Sequence, residues 1–332
     1  METRRLGDSD VDVTKIIFGA WAIGGWMWGG TDEDQAIAAV RKAVELGITS
    51  IDTAAIYGMG RSEEIVARAI EPFRRDDLQI LTKFGMRWDL EVDAPKRWDS
   101  IGRDGKPCVV KHWAKGDSVI QECEDSLRRL KTDYIDLYQQ HWPDPGTEVE
   151  ETAEALARLI EQGKIRAAGT SNFTVELLER ARRVVPLASN QPPYSMVKRD
   201  IEQDVLPYCV EHGISTIVYS PLQRGLLTGK ITPGYTFTGD DHRARSPLFG
   251  GENLARVNAF LAEIRPIAEA HGATLAQLVI AWTLGREGIT AVLVGARNPR
   301  QAEENARGAD ISLSDEETAR IDELLDGLVL EV

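Results

Sequence analysis

Four side chains in this sequence could act together as a proton donor and the groups that tune it. Asp52 ends a short apolar run, and Tyr57 lies in the loop that follows it. Lys83 closes the next apolar run, and His141 follows a later one. A tyrosine with an ordinary pKa near 10 is a poor acid at neutral pH, so we expect the Lys83 ammonium to lower that pKa by about 1–3 units. Asp52 can hold Lys83, and His141 can donate a hydrogen bond to a substrate oxygen. The set predicts a tuned general acid beside an oxygen that gains negative charge, which is what reduction of a carbonyl group needs.

A second group of residues could bind phosphate. Asn298 and Pro299 have the residue types of an N-cap and a first helical position, directly after Arg297, and the free amides of such a helix start suit an anion. Residues 220–230 contain glycines that would permit close approach to a pyrophosphate. The alternative is an ordinary capped helix with solvated arginines. The run Gly58-Met59-Gly60 lacks the third glycine of a dinucleotide fingerprint, and we interpret it as a turn into the next helix.

Short apolar, β-branched runs alternate with longer stretches of helical periodicity, which is typical of βα units around a parallel sheet. The predicted strands are Ile16–Gly19, Ile48–Asp52, Gln79–Lys83, Tyr134–Gln140, Ala167–Thr170, Ala188–Gln191, Ile214–Tyr219 and Ala291–Val294. We therefore expect an α/β fold, a (β/α)8 TIM barrel that forms a single domain over residues 1–332. Side chains at the carboxyl ends of barrel strands point into the active site. Taken singly, the four residues above are more often capping, surface or packing residues, and their convergence at this face favours catalysis.

Two predicted connections are too long for a simple βα unit. One follows the third predicted strand and the other follows the seventh. Both begin at the carboxyl face, where long loops build and cover the active site. Near the amino terminus, residues 6–11 predict a hairpin that plugs the opposite end of the barrel. Among the helix signals, we expect Thr31 to begin the first helix and Ser314 with Glu317 to form a capping box.

The composition narrows the class of partner. The 332 residues carry a formal net charge of −14 without a long basic run, so we exclude nucleic acid as the main partner. The sequence predicts neither a signal segment nor a membrane span, which favours a soluble, cytoplasmic protein. The three cysteines form no C-x-x-C pair and the five histidines form no H-x-H group, so we expect no metal site. Against this acidic background, a basic rim for one phosphorylated cofactor is predicted from Arg224, Lys230, Arg297 and Arg300.

These residues make the sequence resemble the aldo-keto reductase superfamily over essentially its whole length. The specific elements are Asp52-Thr53-Ala54 with Tyr57-Gly58, Lys83 after an apolar strand, the run from Asp136 to Pro143, Gly169-Thr170-Ser171-Asn172, and the segment from Gly295 to Asn305. The resemblance implies a barrel that binds NADP(H) without a Rossmann fold and reduces aldehydes and ketones to alcohols. It also implies Tyr57 as the general acid, Lys83 and Asp52 as its tuning pair, and His141 as the residue that orients the carbonyl.

The same resemblance implies a cofactor site along the carboxyl face. Its residues would be Ala20, Trp21, Asp52, Ser171, Asn172, Gln191, Tyr219, Ser220, Pro221, Leu222, Gln223, Arg224, Gly225, Lys230, Arg243, Gly295, Arg297, Gln301, Glu304 and Asn305. Ser171, Asn172 and Gln191 would hold the carboxamide, and Tyr219 would stack on the nicotinamide. The residues from Ser220 to Gly225 and Lys230 would follow the pyrophosphate.

The adenosine end of the implied site determines the choice of cofactor. Arg297 and Gln301 would meet the 2′-phosphate, while Glu304 and Asn305 would contact the adenine, and Arg243 is a further candidate for the phosphate. Gln301 stands where several relatives have arginine. The resemblance implies that NADP(H) is preferred, and the departure at Gln301 leaves NAD(H) possible as a cofactor.

Tryptophans could form the substrate pocket. The likeness is to bacterial members of the superfamily that act on small aldehydes, sugars and polyols such as glyceraldehyde and glycerol. Trp21, Trp26 and Trp28 near the first loop, with Trp88 or Trp113 from the third, could wall a narrow pocket for such a small molecule. The alternative is that these aromatic residues only pack the rim of the barrel.

Two other functions fit parts of the pattern. A barrel aldolase would use Lys83 as a Schiff-base nucleophile. A regulatory subunit on the same fold, as in the potassium-channel β-subunits, would bind the nucleotide as a sensor.

For the oligomeric state, we expect a monomer or a weak homo-oligomer.

Overall fold

The structure is a computed structural model, and it describes residues 1–94 and 97–331 of the chain. Its strands, numbered in chain order, are β1 (Thr3–Arg5), β2 (Asp12–Thr14), β3 (Ile16–Gly19), β4 (Ser50–Asp52), β5 (Gln79–Phe84), β6 (Met86–Arg87), β7 (Arg97–Ile101), β8 (Pro107–His112), β9 (Ile135–Gln140), β10 (Ile165–Ser171), β11 (Leu187–Gln191), β12 (Ser215–Tyr219) and β13 (Ile289–Gly295). Strands β3, β4, β5 and β9 to β13 form a closed parallel barrel, in which β13 pairs with β3 to complete the ring. The predicted (β/α)8 barrel is confirmed.

Helices surround this barrel. They are α1 (Glu33–Glu45), α2 (Arg61–Ile70), α3 (Gly116–Leu130), α4 (Val149–Glu161), α5 (Val175–Arg182), α6 (Val205–Glu211), α7 (Gly251–Ala270), α8 (Leu275–Leu284), α9 (Pro299–Arg307) and α10 (Asp315–Asp326). The capping box of Ser314 and Glu317 is confirmed at the start of α10. The predicted start of α1 is wrong by one residue, because Asp32 and not Thr31 accepts a hydrogen bond from the Gln35 amide, at 3.1 Å.

A hairpin closes the amino-terminal end of the barrel, as predicted. Strands β1 and β2 pair antiparallel, and Leu6, Val11 and Val13 are fully buried against side chains inside the barrel. Gly7 makes the tight turn with φ of +50°, and a Cβ there would lie 2.9 Å from the Gly213 carbonyl oxygen. The hairpin and the barrel interior therefore share one apolar cluster. We call this cluster the plug layer, and it consists of Leu6, Val11, Val13, Ile17, Leu81, Leu137, Ala167, Ala188, Ile217, Ala291 and Leu293.

The two long connections lie at the opposite, carboxyl face. The connection after β5 contains strands β6, β7 and β8, which form a three-stranded antiparallel sheet in the order β6-β8-β7. The sequence predicts only a long loop here, because this polar, Gly- and Pro-containing segment shows no sustained apolar alternation. The connection after β12 runs over residues 220–250 through short 3-10 turns before α7. None of the helices in the described residues has the length and apolar character needed to span a membrane.

Candidate active site

The carboxyl ends of β4 and β5 bring the expected proton donor and its partners together. Lys83 and Asp52 are 1% and 2% exposed, and the Lys83 ammonium donates a short hydrogen bond to Asp52 Oδ1. The same ammonium donates to the Thr53 carbonyl at 2.9 Å and lies 3.5 Å from Tyr57 Oη. Tyr57 reaches this point because the turn after β4 folds back toward the barrel. The backbone amide of Tyr57 donates to the Ala54 carbonyl in this turn.

His141 approaches the same tyrosine from β9. Its backbone amide is fixed by the Phe84 carbonyl at the end of β5, and its ring meets the Tyr57 ring edge-on with centroids 5.5 Å apart. Burial lowers the pKa of His141 well below its usual value, and the positive charge of Lys83 lowers it further. His141 is therefore a neutral imidazole that can donate a hydrogen bond to a substrate oxygen.

The expected lowering of the Tyr57 pKa by Lys83 is wrong for this structure. Burial raises the pKa of Tyr57 well above its usual value, and the negative charge of Asp52 adds to the rise. Desolvation of the phenolate therefore decides the direction. Burial also lowers the pKa of Lys83, against the opposing effect of Asp52. Tyr57 thus keeps its proton until a proton acceptor is present, and the nearby ammonium can then stabilise the phenolate.

Two amide side chains complete this buried group. The second carboxylate oxygen of Asp52 accepts hydrogen bonds from Gln191 Nε2 at 2.9 Å and from Gln139 Nε2 at 3.2 Å. Gln191 is one of the expected cofactor residues, whereas Gln139 was missed. The signal was the two-residue spacing from Leu137 on the same strand, because alternate residues of a strand lie on one face and Gln139 therefore shares the interior face with Leu137.

A cavity of about 550 Å³ begins at these residues and extends along the carboxyl face to α9. The structure places the expected cofactor residues on its wall, as follows: Ala20, Trp21, Asp52, Ser171, Asn172, Gln191, Tyr219, Ser220, Pro221, Leu222, Arg224, Gly225, Lys230, Arg243, Gly295, Arg297, Gln301, Glu304 and Asn305. Gln223 is the exception. Its side chain is buried and accepts a hydrogen bond from Ser195 Oγ at 3.1 Å, so it faces away from the cavity.

The middle of the cavity is held by hydrogen bonds that fix two flat side chains. Tyr219 Oη donates to Asn172 Oδ1 at 2.9 Å, and Asn172 Nδ2 donates to the His141 carbonyl at 3.0 Å. Asn172 has a φ of +62°, a conformation that asparagine tolerates better than most residues. Ser171 Oγ donates to the Gln191 carbonyl at 2.7 Å. An aromatic face and a set of amides therefore lie beside Tyr57, and this arrangement suits a planar ring that bears a carboxamide.

The far end of the cavity carries cations. Arg243 pairs with Asp241 at 2.6 Å, and Arg224 lies close enough that burial and then the charge of Arg243 lower the Arg224 pKa. No carboxylate in the described residues lies within ion-pair distance of the Arg224 guanidinium. Two half-buried cations with one carboxylate leave a positive field, and the Gly225 turn beside them has a φ of +94°. This donor set fits the pyrophosphate of a dinucleotide.

At α9, Arg297 and Gln301 occupy the expected rim. Arg297 donates to the Gly30 carbonyl at 2.6 Å, and Gln301 Oε1 accepts from the Arg297 amide at 2.8 Å. Lys230 forms an ion pair with Glu304 at 3.0 Å. Arg300 is exposed and is not on the cavity wall, so its expected place in the basic rim is wrong, because the first turn of α9 directs it to solvent.

The long connection after β12 covers the cavity. Both carboxylate oxygens of Asp240 accept backbone hydrogen bonds from the first loop, from Met27 and Gly29 at 2.8 Å each. The His242 ring bonds to the Met27 carbonyl at 2.7 Å and packs against Trp21, with centroids 4.9 Å apart. The loop after β3 and the connection after β12 are therefore joined by hydrogen bonds over the cavity.

Aromatic residues wall the end of the cavity nearest Tyr57. Trp21, Trp26 and Trp28 lie on the wall as expected, but Trp88 and Trp113 do not. Trp88 packs against an apolar cluster that includes Met86 and Val110 of the three-stranded sheet. Two other tryptophans lie on the wall instead: Trp98 on β7, and Trp142, which directly follows His141. Trp98 had no recognisable signal without the fold of that sheet, whereas Trp142 could have been inferred from its neighbour.

Known proteins of similar sequence and structure match the chain along its length. The model of the aldo/keto reductase family matches residues 15–326. Aldo-keto reductase YhdN of Bacillus subtilis is 40% identical over 331 residues, covering 99% of this chain and 95% of that protein. The NADH-specific methylglyoxal reductase of Escherichia coli is 34% identical, covering 97% and 98%. Among solved structures, the glycerol dehydrogenase AKR11B4 from Gluconobacter oxydans gives a TM-score of 0.87 at 38% identity, covering 98% of this chain and 96% of that one. The chain therefore belongs to the aldo/keto reductase family.

Proposed function

We propose that this oxidoreductase uses NADP(H) to reduce small aldehydes and ketones to alcohols, and to oxidise polyols in the reverse direction, with Tyr57 as the general acid. The observation that carries the proposal is the position of Tyr57 Oη, 3.5 Å from the Lys83 ammonium at the inner end of the cavity. The names of two similar proteins, a methylglyoxal reductase and a glycerol dehydrogenase, support a small carbonyl or polyol as substrate.

The residues of the chain have separate tasks in this reaction. A bound nicotinamide would supply the hydride for the carbonyl carbon. Asn172 and Gln191 would hold its carboxamide next to Tyr219, and Arg224 with Arg243 would hold the pyrophosphate. Each of these groups lies on the wall of one cavity, so a dinucleotide bound along it would bring its reactive ring toward the proton donor.

The proton follows a short route. Tyr57 gives its hydroxyl proton to the substrate oxygen as negative charge develops there, and the Lys83 ammonium stabilises the remaining phenolate. Asp52 keeps that ammonium in place. His141 is neutral, so it orients the oxygen by donating a hydrogen bond and leaves the proton transfer to the tyrosine.

Arg297 supports the preference for the 2′-phosphate of NADP(H). Its guanidinium is anchored only to backbone carbonyls, at Gly30 and at Trp28, and forms no ion pair within the described part of the chain. A phosphate would supply the missing countercharge. Glu304 lies nearby, and its pairing with Lys230 offsets the repulsion that it would exert on that phosphate.

The substrate end of the cavity supports an uncharged molecule. Its wall next to Tyr57 consists of Ile56, Met86, Trp26, Trp98 and Trp142. None of these five side chains carries a positive charge, so a substrate carboxylate beside them would lose its hydration without compensation. We propose a small aldehyde, ketone or polyol.

The environment of Lys83 argues against the aldolase alternative. Its side chain is fully buried, held by Asp52 and the Thr53 carbonyl, and absent from the cavity wall. A Schiff-base lysine must reach the substrate carbonyl. Treatment with borohydride and a ketone substrate is expected to leave Lys83 unlabelled, whereas a covalent adduct on Lys83 would favour the aldolase.

Initial rates test the proposed function. They are measured with NADPH and with NADH against glyceraldehyde, methylglyoxal and an aromatic aldehyde, and with NADP⁺ and NAD⁺ against glycerol. We expect turnover of the small carbonyls with a higher kcat/KM for NADPH than for NADH. Slow turnover of every substrate, together with nucleotide that copurifies and does not exchange, would favour the regulatory subunit.

A further inference from the structure

The interior of the barrel contains a buried amide, Gln139, directly beside the catalytic lysine. Gln139 lies on β9, where it is fully buried and is the register partner of Lys83 on β5. On its other side the register partner is Gly169 of β10. Leu137, two residues earlier on β9, belongs to the plug layer, so Gln139 occupies the next interior position toward the active site.

Both ends of the Gln139 amide are used. Its Nε2 donates to Asp52 Oδ2 at 3.2 Å, and its Oε1 accepts from Gln191 Nε2 at 3.1 Å. Gln191 Nε2 donates in addition to Asp52 Oδ2 at 2.9 Å. The three side chains therefore form a closed triangle of hydrogen bonds inside the barrel.

Gly169 leaves room for this triangle. A Cβ at that position would lie 2.7 Å from Ser189 Oγ and 3.1 Å from Gln139 Cγ. Contacts of that length force neighbouring atoms to move, so a larger residue on β10 would displace the Gln139 side chain. The interior of the barrel is thus shaped to accommodate a glutamine that crosses toward β4.

The triangle fixes two orientations at once. Asp52 uses Oδ1 for Lys83 and Oδ2 for the two amides, so its carboxylate cannot rotate without breaking a hydrogen bond. The nitrogen of the Gln191 amide is held by two acceptors. Its carbonyl oxygen is therefore the atom left to face the cavity, where it can accept from the amide group of a nicotinamide.

We propose that Gln139 is a positioning residue that couples the cofactor-holding Gln191 to the Asp52–Lys83 pair. One buried amide then fixes both the carboxamide pocket and the support of the Tyr57 proton donor. The proposal rests on the proposed function for the roles of Gln191 and Tyr57. It assigns Gln139 no contact with substrate or cofactor.

Gln139→Met tests the coupling, because methionine has a similar volume and neither donates nor accepts in the triangle. With NADPH and glyceraldehyde, we expect kcat to fall about tenfold, equivalent to about 1.4 kcal/mol, as for loss of one hydrogen bond to a charged group. We also expect weaker NADPH binding, measured by quenching of tryptophan fluorescence. The matched control is Gln79→Met, because Gln79 lies on the same barrel at the opposite end of β5, where it accepts from Thr49 and Ser50. That control is expected to change stability only.

Gln139→Glu provides a conservative rescue that a merely structural role would not produce. A glutamate keeps the acceptor for Gln191, but it can donate to Asp52 only while protonated. The charged groups facing this position are Asp52 on β4 and Lys83 on β5, while β10 presents Gly169 and β11 presents Gln191. We expect kcat near that of the parent at low pH and a loss as pH rises through ionisation of the paired carboxyl groups.

The outcomes separate the coupling from the proposed function. A parent protein without nicotinamide-dependent turnover would contradict the proposed function. The coupling would then be tested by NADPH affinity alone, and it requires weaker binding by Gln139→Met than by Gln79→Met. If the parent is active, Gln139→Met with unchanged kcat, NADPH affinity and pH profile overturns the coupling. The coupling is also overturned if Gln139→Met loses only stability, to the same extent as Gln79→Met. A Gln139→Glu variant without a new pH dependence overturns it as well.

Discussion

The two ends of the barrel interior differ in chemistry although the same strands build both. At the amino-terminal end, the plug layer is apolar and fully buried under the hairpin. At the carboxyl end, the interior is polar and opens into the cavity. The change occurs within two residues on three strands, from Leu81 to Lys83, from Leu137 to Gln139, and from Ile217 to Tyr219.

This difference separates stability from chemistry along each strand. Burial of large apolar side chains in the plug layer stabilises the fold, at about 1.5–3 kcal/mol for each such side chain. Burial of Lys83 and Asp52 costs desolvation free energy, which their mutual attraction and hydrogen bonds must offset. The plug layer therefore holds the barrel closed while the carboxyl end keeps desolvated charges. Changes at the carboxyl end are therefore expected to lower activity, and changes in the plug layer are expected to lower stability.

Tyr57→Phe should produce the largest effect on activity. The substitution removes the hydroxyl that we propose as the proton donor and keeps the ring that packs beside Trp21. We expect kcat for carbonyl reduction to fall by about 10²–10⁴, the usual contribution of a general acid, with unchanged nucleotide affinity and midpoint of thermal unfolding. Full activity in this variant would contradict the assignment of Tyr57 and the proposed catalytic role of the carboxyl end.

Leu6→Ala should produce the largest effect on stability. Leu6 is fully buried in the plug layer, and its truncation leaves a cavity that the surrounding strands cannot fill. We expect a loss of about 2–5 kcal/mol in the free energy of unfolding, measured in denaturant, with kcat at 25 °C unchanged. Val329→Ala is the control, because Val329 is 69% exposed and its truncation should change stability by less than about 0.5 kcal/mol. An equal loss in the two variants would mean that the plug layer does not stabilise the barrel.

A buried acid at the carboxyl edge gives a third, pH-dependent effect. Glu122 on α3 accepts from the Gly85 amide at 3.2 Å, just after β5, and lies 3.8 Å from Arg87 Nη1. Burial raises the pKa of Glu122 from 4.5 to about 8. Because the folded state then binds a proton that the unfolded state has released, this group's stabilising contribution is complete below pH 4.5 and is lost as pH rises through 8.

Glu122→Gln should therefore remove part of the pH dependence of stability. The parent is expected to lose up to about 1.4 kcal/mol for each pH unit across this window from Glu122 alone. Glutamine keeps an acceptor for the Gly85 amide, so the variant should resemble the parent near pH 5 and be more stable at pH 8. Unfolding in urea at both pH values measures the difference. Parallel stability curves for the two proteins would show that the Glu122 carboxyl is not desolvated as the structure indicates.

Much of this architecture follows from local sequence patterns. The barrel strands were predicted to within two residues because each is a short apolar run followed by a helical repeat. Asp52, Tyr57, Lys83 and His141 could be grouped in advance because the carboxyl ends of parallel strands meet at one face. The hairpin could be predicted because its turn lies between two short runs.

Other features depend on contacts between distant segments. Trp98 reaches the cavity only because β7 pairs with β8, and nothing in its own neighbourhood indicates that pairing. Gln139 becomes significant once the register with Lys83 and Gly169 is known. The direction of the Tyr57 pKa depends on how deeply the ring is buried. The sequence shows which groups are present but not how much water surrounds them.

Arg297→Ala is the smallest of these effects and the most selective. Arg297 lies at the α9 end of the cavity, away from Tyr57, so its loss should leave kcat unchanged. We expect KM for NADPH to rise about tenfold, near the 1.5–3 kcal/mol of a hydrogen bond to a charged group, while KM for NADH changes less than about twofold. The ratio of the two KM values is the measurement, because the lost contact with the Gly30 carbonyl would affect both nucleotides alike. Arg300→Ala on the same helix is the matched control, since Arg300 is exposed and off the cavity wall. An equal rise for NADPH and NADH would show that Arg297 holds the first loop in place and does not recognise the 2′-phosphate, and cofactor choice would then have to come from another part of the carboxyl face.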